Sequence, residues 1–193
     1  MDHDYVLQKI IPHRLGAVSA LTVALKYRLL WDSQKPMEIY FDGKLSIEGN
    51  SNAFLNPVIE SGLIHSRALL EFLGLREKNG SLENFNLSHK RNKDDIGIES
   101  FSNLGVSLPL VTPSMAISQY CGDCLEAQSA LLAIFHTTNK GLAHHARSFD
   151  ISKADASLIE IASRGIPALV VRHVYEPLGI PTPSFDIGSR DRN

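Results

Sequence analysis

Asn56-Pro57-Val58-Ile59-Glu60-Ser61-Gly62-Leu63-Ile64-His65-Ser66-Arg67-Ala68-Leu69-Leu70-Glu71-Phe72-Leu73-Gly74-Leu75 is the stretch that sets the fold class. Asn56 offers a side-chain acceptor for a helix N-terminus. Pro57 suits the first helical position, where its missing N–H costs nothing. From there the apolar residues fall into two stripes at helical spacing. One is Val58, His65, Leu69 and Phe72; the other is Ile59, Leu63, Leu70 and Leu73. A helix apolar over so much of its circumference needs cover on several sides, so it is expected at the centre of a bundle. Gly74 lies near its end.

The flanking sequence supplies the cover. Leu15, Val18, Leu21, Leu25 and Leu29 recur at helical spacing after Pro12, predicting a helix to about Leu30. Between Met37 and Glu48, Ile39 and Phe41 alternate with polar neighbours, as do Leu45 and Ile47. Asp42-Gly43 separates the two runs, so this is expected to be a β-hairpin and the single sheet of the chain. Glu77 to Gly105 is polar, with scattered Gly and Asn, and is expected to be a long connection. Thr112-Pro113 caps the longest predicted helix, which runs to about Asn139 with Ile117, Cys121, Cys124, Leu131 and Phe135 inward. Ser152 to Asp155 resembles a capping box opening a further helix, which Gly165 and Pro167 should break or kink.

The 193 residues suit one domain with a sizeable core. The composition, 44% hydrophobic and 21% charged, is that of a globular protein, and the net charge of −2 supplies no global basic field. No apolar run approaches the roughly 20 residues that span a bilayer. Met1-Asp2-His3-Asp4 is acidic and no signal-type apolar core follows it, so the cytoplasm is the expected location. There is no Gly-rich phosphate loop, no G-x-S-x-G elbow and no H-E-x-x-H, which excludes the commonest signatures of nucleotide-binding proteins, hydrolases and metalloproteases. No cofactor and no metal site are expected.

Polar groups concentrate in Asn139-Lys140-Gly141-Leu142-Ala143-His144-His145-Ala146-Arg147. One reading holds an anion there, with His144 as an acid/base group near neutral pH and Arg147 as a fork of donors. The other closes a helix, with Lys140 complementing the dipole and Gly141 as the left-handed cap. His65 lies on an apolar stripe, where a histidine is commonly a satisfied core residue; it gains a function only by converging with His144. Arg67 faces elsewhere on the same helix. His89 to Asp95 is a charge run in the long connection. It is either a solvated loop or a flap whose Asp94 and Asp95 pair with the site's arginines.

Two cysteines form C-x-x-C over Cys121 to Cys124. At a helix start the dipole would activate a thiol, but the predicted helix places both about two turns in, on its buried stripe. They are therefore expected to be core residues. The motif resembles the C-x-x-C-x-x-x-H of the carboxymuconolactone decarboxylase and alkylhydroperoxidase family, with Gln128 at the place of that histidine.

The order Glu60 to Leu73, then Lys93-Asp94-Asp95, then Asn139 to His144 resembles a group of uncharacterised helical bacterial proteins, over about residues 54 to 147. More distantly, the last segment resembles HEPN domains, helical bundles that include RNA-cleaving toxins. Their motif is Arg followed after four to six residues by His. Here Asn139 precedes His144, and Thr138 holds the place of the Arg.

The expected molecule is thus mainly all-α, a single bundle of about five or six helices over residues 1–176, with a hairpin over 37–48 and a connection over 77–111. Residues 177–193 form a tail. The expected site comprises Asn139, His144 and Arg147 in a catalytic role, with His65, Arg67, Asp94, Asp95 and Lys140 binding. The partners implied are RNA or a small phosphate ligand, and a homodimer is compatible with the chain. Two other readings stay open: an inert bundle whose polar cluster fastens the loop, and a thiol redox enzyme using Cys121 and Cys124.

Overall fold

The computed structural model describes residues 2–85, 95–120, 122–139 and 151–185. A short helix α1 (His3–Tyr5) passes through a π-type turn over Val6–Ile10 into α2 (Ile11–Leu30). A hairpin of β1 (Pro36–Phe41) and β2 (Lys44–Asn50) leads directly into α3 (Ser51–Leu73). Two small hairpins follow: β3 (Leu75–Lys78) with β4 (Ser81–Asn84), and β5 (Ser102–Asn103) with β6 (Val106–Ser107). Then come α4 (Pro113–Ser118), α5 (Cys124–Thr137) and α6 (Lys153–Val170). A second π-type turn over Val171–Tyr175 continues α6 into α7 (Glu176–Leu178).

The chain is mainly helical, and α3 occupies the place its two stripes require. α2 packs along α3 and α6, α5 lies against α6, and α3 also touches α5 and α6. Leu15, Leu21 and Leu25 of α2 meet Leu63, Leu69, Leu70 and Leu73 of α3 in one core with Ile134 of α5 and Ile159 and Ile166 of α6. The closest approach is at Gly62, where a built Cβ would overlap the Leu21 Cβ and lie 3.0 Å from the Ala17 carbonyl oxygen. Only a residue without a side chain lets two backbones come this near. No helix among the described residues is long and apolar enough to cross a membrane.

Several sequence expectations change. α3 starts at Ser51, not Pro57. Asn50 is the cap, its side chain accepting from the Ala53 N–H at 3.1 Å, and Pro57 lies inside the helix. Among the described residues the single sheet becomes three, because two more hairpins follow α3. Their turns are Asn79-Gly80 and Leu104-Gly105, with φ of 51° and 78° and of 49° and 80°. Left-handed backbone at both central residues is the geometry of a two-residue hairpin turn. The predicted helix over 112–139 is two helices. Asp123 ends the break, its side chain accepting from the Leu125 N–H at 3.0 Å to cap α5. An Asp side chain that bonds the backbone locally competes with helix continuation. Conversely, α6 continues through Gly165 and Pro167 to Val170. Its contacts with both α2 and α5 outweigh the hydrogen bond Pro167 forgoes. Ser152 caps α6 as expected, accepting from the Asp155 N–H at 3.1 Å.

Tyr175 ties the π-type turn after α6 to the one before α2. Its buried hydroxyl donates to the Leu7 carbonyl at 2.7 Å, and burial pushes its pKa up to about 12. A phenol with a raised folded-state pKa contributes stability that is present below about pH 10, the unfolded value, and lost as pH rises to about 12. Urea midpoints should therefore fall between pH 10 and 12, and fall less steeply in Tyr175→Phe. Parallel pH profiles for the two proteins would contradict this placement.

Candidate functional site

α5 ends against α3. The Thr138 hydroxyl folds back on the helix, donating to the carbonyls of Ile134 at 2.8 Å and Phe135 at 3.0 Å. Asn139 follows, half-buried. The Arg67 guanidinium reaches this point from α3. Its Nε donates to Glu71 Oε1 at 2.8 Å, one helical turn on, and its Nη1 donates to Asn139 Oδ1 and to Thr138 Oγ1 at 3.4 Å. The guanidinium is thus oriented from two sides. A guanidinium carries five N–H donors, and the two on Nη2 bond no described residue.

A second polar set lies between α2 and α3. Arg14 Nη1 stands 3.3 Å from His65 Nδ1, and the His13 ring meets the His65 ring edge-on with centroids 5.2 Å apart. Burial draws the Arg14 pKa below its ordinary value. Burial lowers His65 as well, and the charges of Arg14 and His13 lower it further. A neutral His65 can accept from the guanidinium through Nδ1. Among the described residues no carboxylate lies within ion-pair distance of Arg14 or His65. Three basic side chains therefore face one another without a counter-ion from those residues.

His65 and Arg67 are two residues apart on α3, so their side chains leave the helix roughly 200° apart. His65 meets α2 and Arg67 meets the end of α5; the structure gives them no common contact. Asp95 is exposed where the description resumes. Asp94, Lys140, His144 and Arg147 lie outside the described residues, as does any convergence of His65 with His144. Sequence reasoning missed His13 and Arg14. The available signal was Pro12-His13-Arg14 at the start of a helix predicted to cover the one that carries His65.

Two further features bear on function. A cavity of about 790 Å³ opens between α2, α4, α5 and α6, lined by small side chains such as Ala127, Ala130 and Ala162 together with larger ones such as Leu131, Ile161 and Arg164. Of the expected site residues, the described ones, His65, Arg67, Asp95 and Asn139, do not line it. Cys124 is exposed at the first position of α5, which corrects its assignment to the buried stripe; Cys121 lies outside the described residues. The cause is the break before Asp123, which turns an expected mid-helix residue into a terminal one. In a Cys121→Ser variant, Cys124 should react with a thiol reagent nearly as fast in the native protein as in denaturant. Labelling slowed a hundredfold by folding would return it to the core. No group of three His, Cys, Asp or Glu suited to a metal occurs among the described residues.

Comparison with known protein families, with curated proteins and with solved structures finds no match for this chain.

Proposed function

We propose that the chain is a HEPN-like helical protein that binds a phosphate-containing ligand, with RNA as the ligand class, at the end of α5. The observation that carries this reading is Arg67. The HEPN-type motif has an arginine where this chain has Thr138, and here the Arg67 guanidinium, brought in from α3, sits on Thr138 and Asn139. The guanidinium is supplied from a neighbouring helix instead of from the motif itself. The two N–H groups left on Nη2 are available for charge-assisted hydrogen bonds to phosphate oxygens.

In this reading Asn139 positions Arg67 by accepting through Oδ1. Lys140 adds charge, and His144 and Arg147 complete the site from the segment that follows. His144 would exchange the proton of the attacking or leaving oxygen if the bound strand is cut. Arg14, which has no counter-ion among the described residues, supplies a further positive charge on the other side of α3, where a longer strand can rest. A net charge of −2 means affinity must come from such local groups.

The test is an anisotropy titration of a labelled single-stranded RNA oligonucleotide against wild type and His144→Ala, at pH 6 and pH 8 and at low and high salt. A phosphodiester does not titrate in this range, so the pH dependence belongs to the protein. Binding should be tighter at pH 6, because an imidazole loses its charge as pH rises through about 6.5. It should weaken with salt and in the variant. Equal binding by both proteins, or none by either, would overturn the proposal in favour of an inert bundle. The exposed Cys124 at the start of α5 favours a second reading, thiol chemistry; it fails if oxidants and reductants leave Cys124 unmodified.

A further inference from the structure

Among the described residues, the β1–β2 hairpin stands out as little covered by its own fold. Its base is clamped: the Lys35 N–H donates to Ser51 Oγ at 2.9 Å, and the Ser51 N–H donates to the Lys35 carbonyl at 2.7 Å. Beyond that clamp every residue of β2 is exposed. Tyr40, Phe41, Leu45 and Ile47 are 54%, 63%, 48% and 47% exposed, on both faces of the ribbon. A two-stranded hairpin is marginally stable in water, and three or more strands with an apolar face are needed for a sheet to hold by itself. Within the hairpin Glu38 stands directly opposite Glu48, a like-charge pair that weakens it further.

The two edges differ. On β2, Ser46 is an extra residue, because Ile47 pairs with Ile39 while Leu45 pairs with the next residue, Tyr40. A bulge of this kind blunts an edge against pairing. β1 has no extra residue, and its single proline, Pro36, stands at the first position of the strand, where a missing donor matters least. Among the described residues nothing pairs with the outer edge of β1.

We infer that the outer edge of β1 pairs antiparallel with the same strand of a second copy, about a two-fold axis at Ile39, making the hairpin a homodimerisation arm. The sequence of β1 is self-complementary about that residue. Ile39 meets Ile39 of the second copy, Met37 meets Phe41, and Glu38 meets Tyr40. The first two combinations gather Met37, Ile39 and Phe41 of both copies, with Ile47, on one face of a four-stranded sheet, and they include a sulfur–aromatic contact. On the other face a tyrosine hydroxyl stands opposite each Glu38, the partner Tyr40 already serves within one chain at 2.6 Å. A strand that is its own complement closes as an isologous pair and leaves no open end for further growth. This arm is remote in sequence from the proposed phosphate site and does not depend on it.

Sedimentation velocity on the full chain, with site-specific cross-linking, tests the inference. The wild type should sediment as a dimer and Phe41→Lys as a monomer with an unchanged far-UV spectrum. In a Cys121→Ser, Cys124→Ser background, Ile39→Cys should form a covalent dimer under mild oxidation. Opposed residues of an antiparallel pair have Cα atoms about 4.5–5.5 Å apart, within disulfide reach. Ser46→Cys, on the blunted edge, should not. A wild-type monomer at all concentrations, a dimer that survives Phe41→Lys, or cross-linking of Ser46→Cys as fast as Ile39→Cys would overturn it.

Discussion

Replacing Gly62 by leucine should abolish the native fold, and replacing it by alanine should cost about 1–3 kcal/mol. The atoms a new side chain would meet are the Leu21 Cβ and the Ala17 carbonyl, both tied to the backbone of α2. Neither can rotate away, so α2 and α3 must separate along the seam that buries Leu21, Leu25, Leu63 and Leu69. Gly16 is the control. It lies on the same α2, and nothing stands within 4 Å of its built Cβ. Gly16→Ala should stabilise the chain by about 0.5–1 kcal/mol through helix propensity alone. Urea unfolding followed by circular dichroism reads all three variants. A Gly62→Leu protein with the wild-type midpoint would show that the two helices are not packed as described.

Arg67→Ala should weaken RNA binding by about 10- to 100-fold, the equivalent of roughly 1.5–3 kcal/mol for hydrogen bonds to a charged group. Its effect on stability should be smaller than on binding: the Arg67–Glu71 pair is a partly exposed i,i+4 ion pair worth a few tenths of a kcal/mol, and the bonds to Thr138 and Asn139 add about 1 kcal/mol. Arg67→Lys should recover only a fraction of the affinity. A lysine keeps the charge but cannot bond Asn139 and a phosphate through one planar fork. Separate titrations and melts of the two variants distinguish a ligand contact from a structural brace. A loss of stability that matches the loss of binding would identify the brace.

The parts of the fold that could be read from the sequence are those with strong local signals. α2 and α3 carry long helical periodicities that burial enforces, and the hairpin over 36–50 announces itself by alternation around Asp42-Gly43. The α6 start was legible because Ser152 and Asp155 form a local capping pair. The smaller hairpins were obscured because their strands have four and two residues, too short for an alternation to register, although Asn79-Gly80 was a valid turn signal. The break before α5 turned on one exposed side chain, Asp123, whose local bond to the Leu125 N–H leaves no mark on the apolar periodicity. The site divides in the same way. Arg67 and Asn139 were identifiable as polar residues out of pattern, but they are 72 residues apart and their contact is tertiary. The pairing of Arg14 with His65, across 51 residues, had no sequence counterpart beyond adjacency of two predicted helices.

The central claim is that Arg67 supplies the phosphate-binding guanidinium that position 138 lacks, and a rescue experiment tests it most directly. RNA affinity is measured for wild type, Arg67→Ala and the double variant Arg67→Ala/Thr138→Arg, each first checked for native circular dichroism. Removing Arg67 vacates space beside Thr138, so an arginine introduced there can reach the same point from α5. The account predicts that the single variant loses most of the affinity and that the second substitution restores a large part of it. Wild-type affinity in Arg67→Ala would contradict the account outright, and so would a double variant that folds but binds no better than the single one.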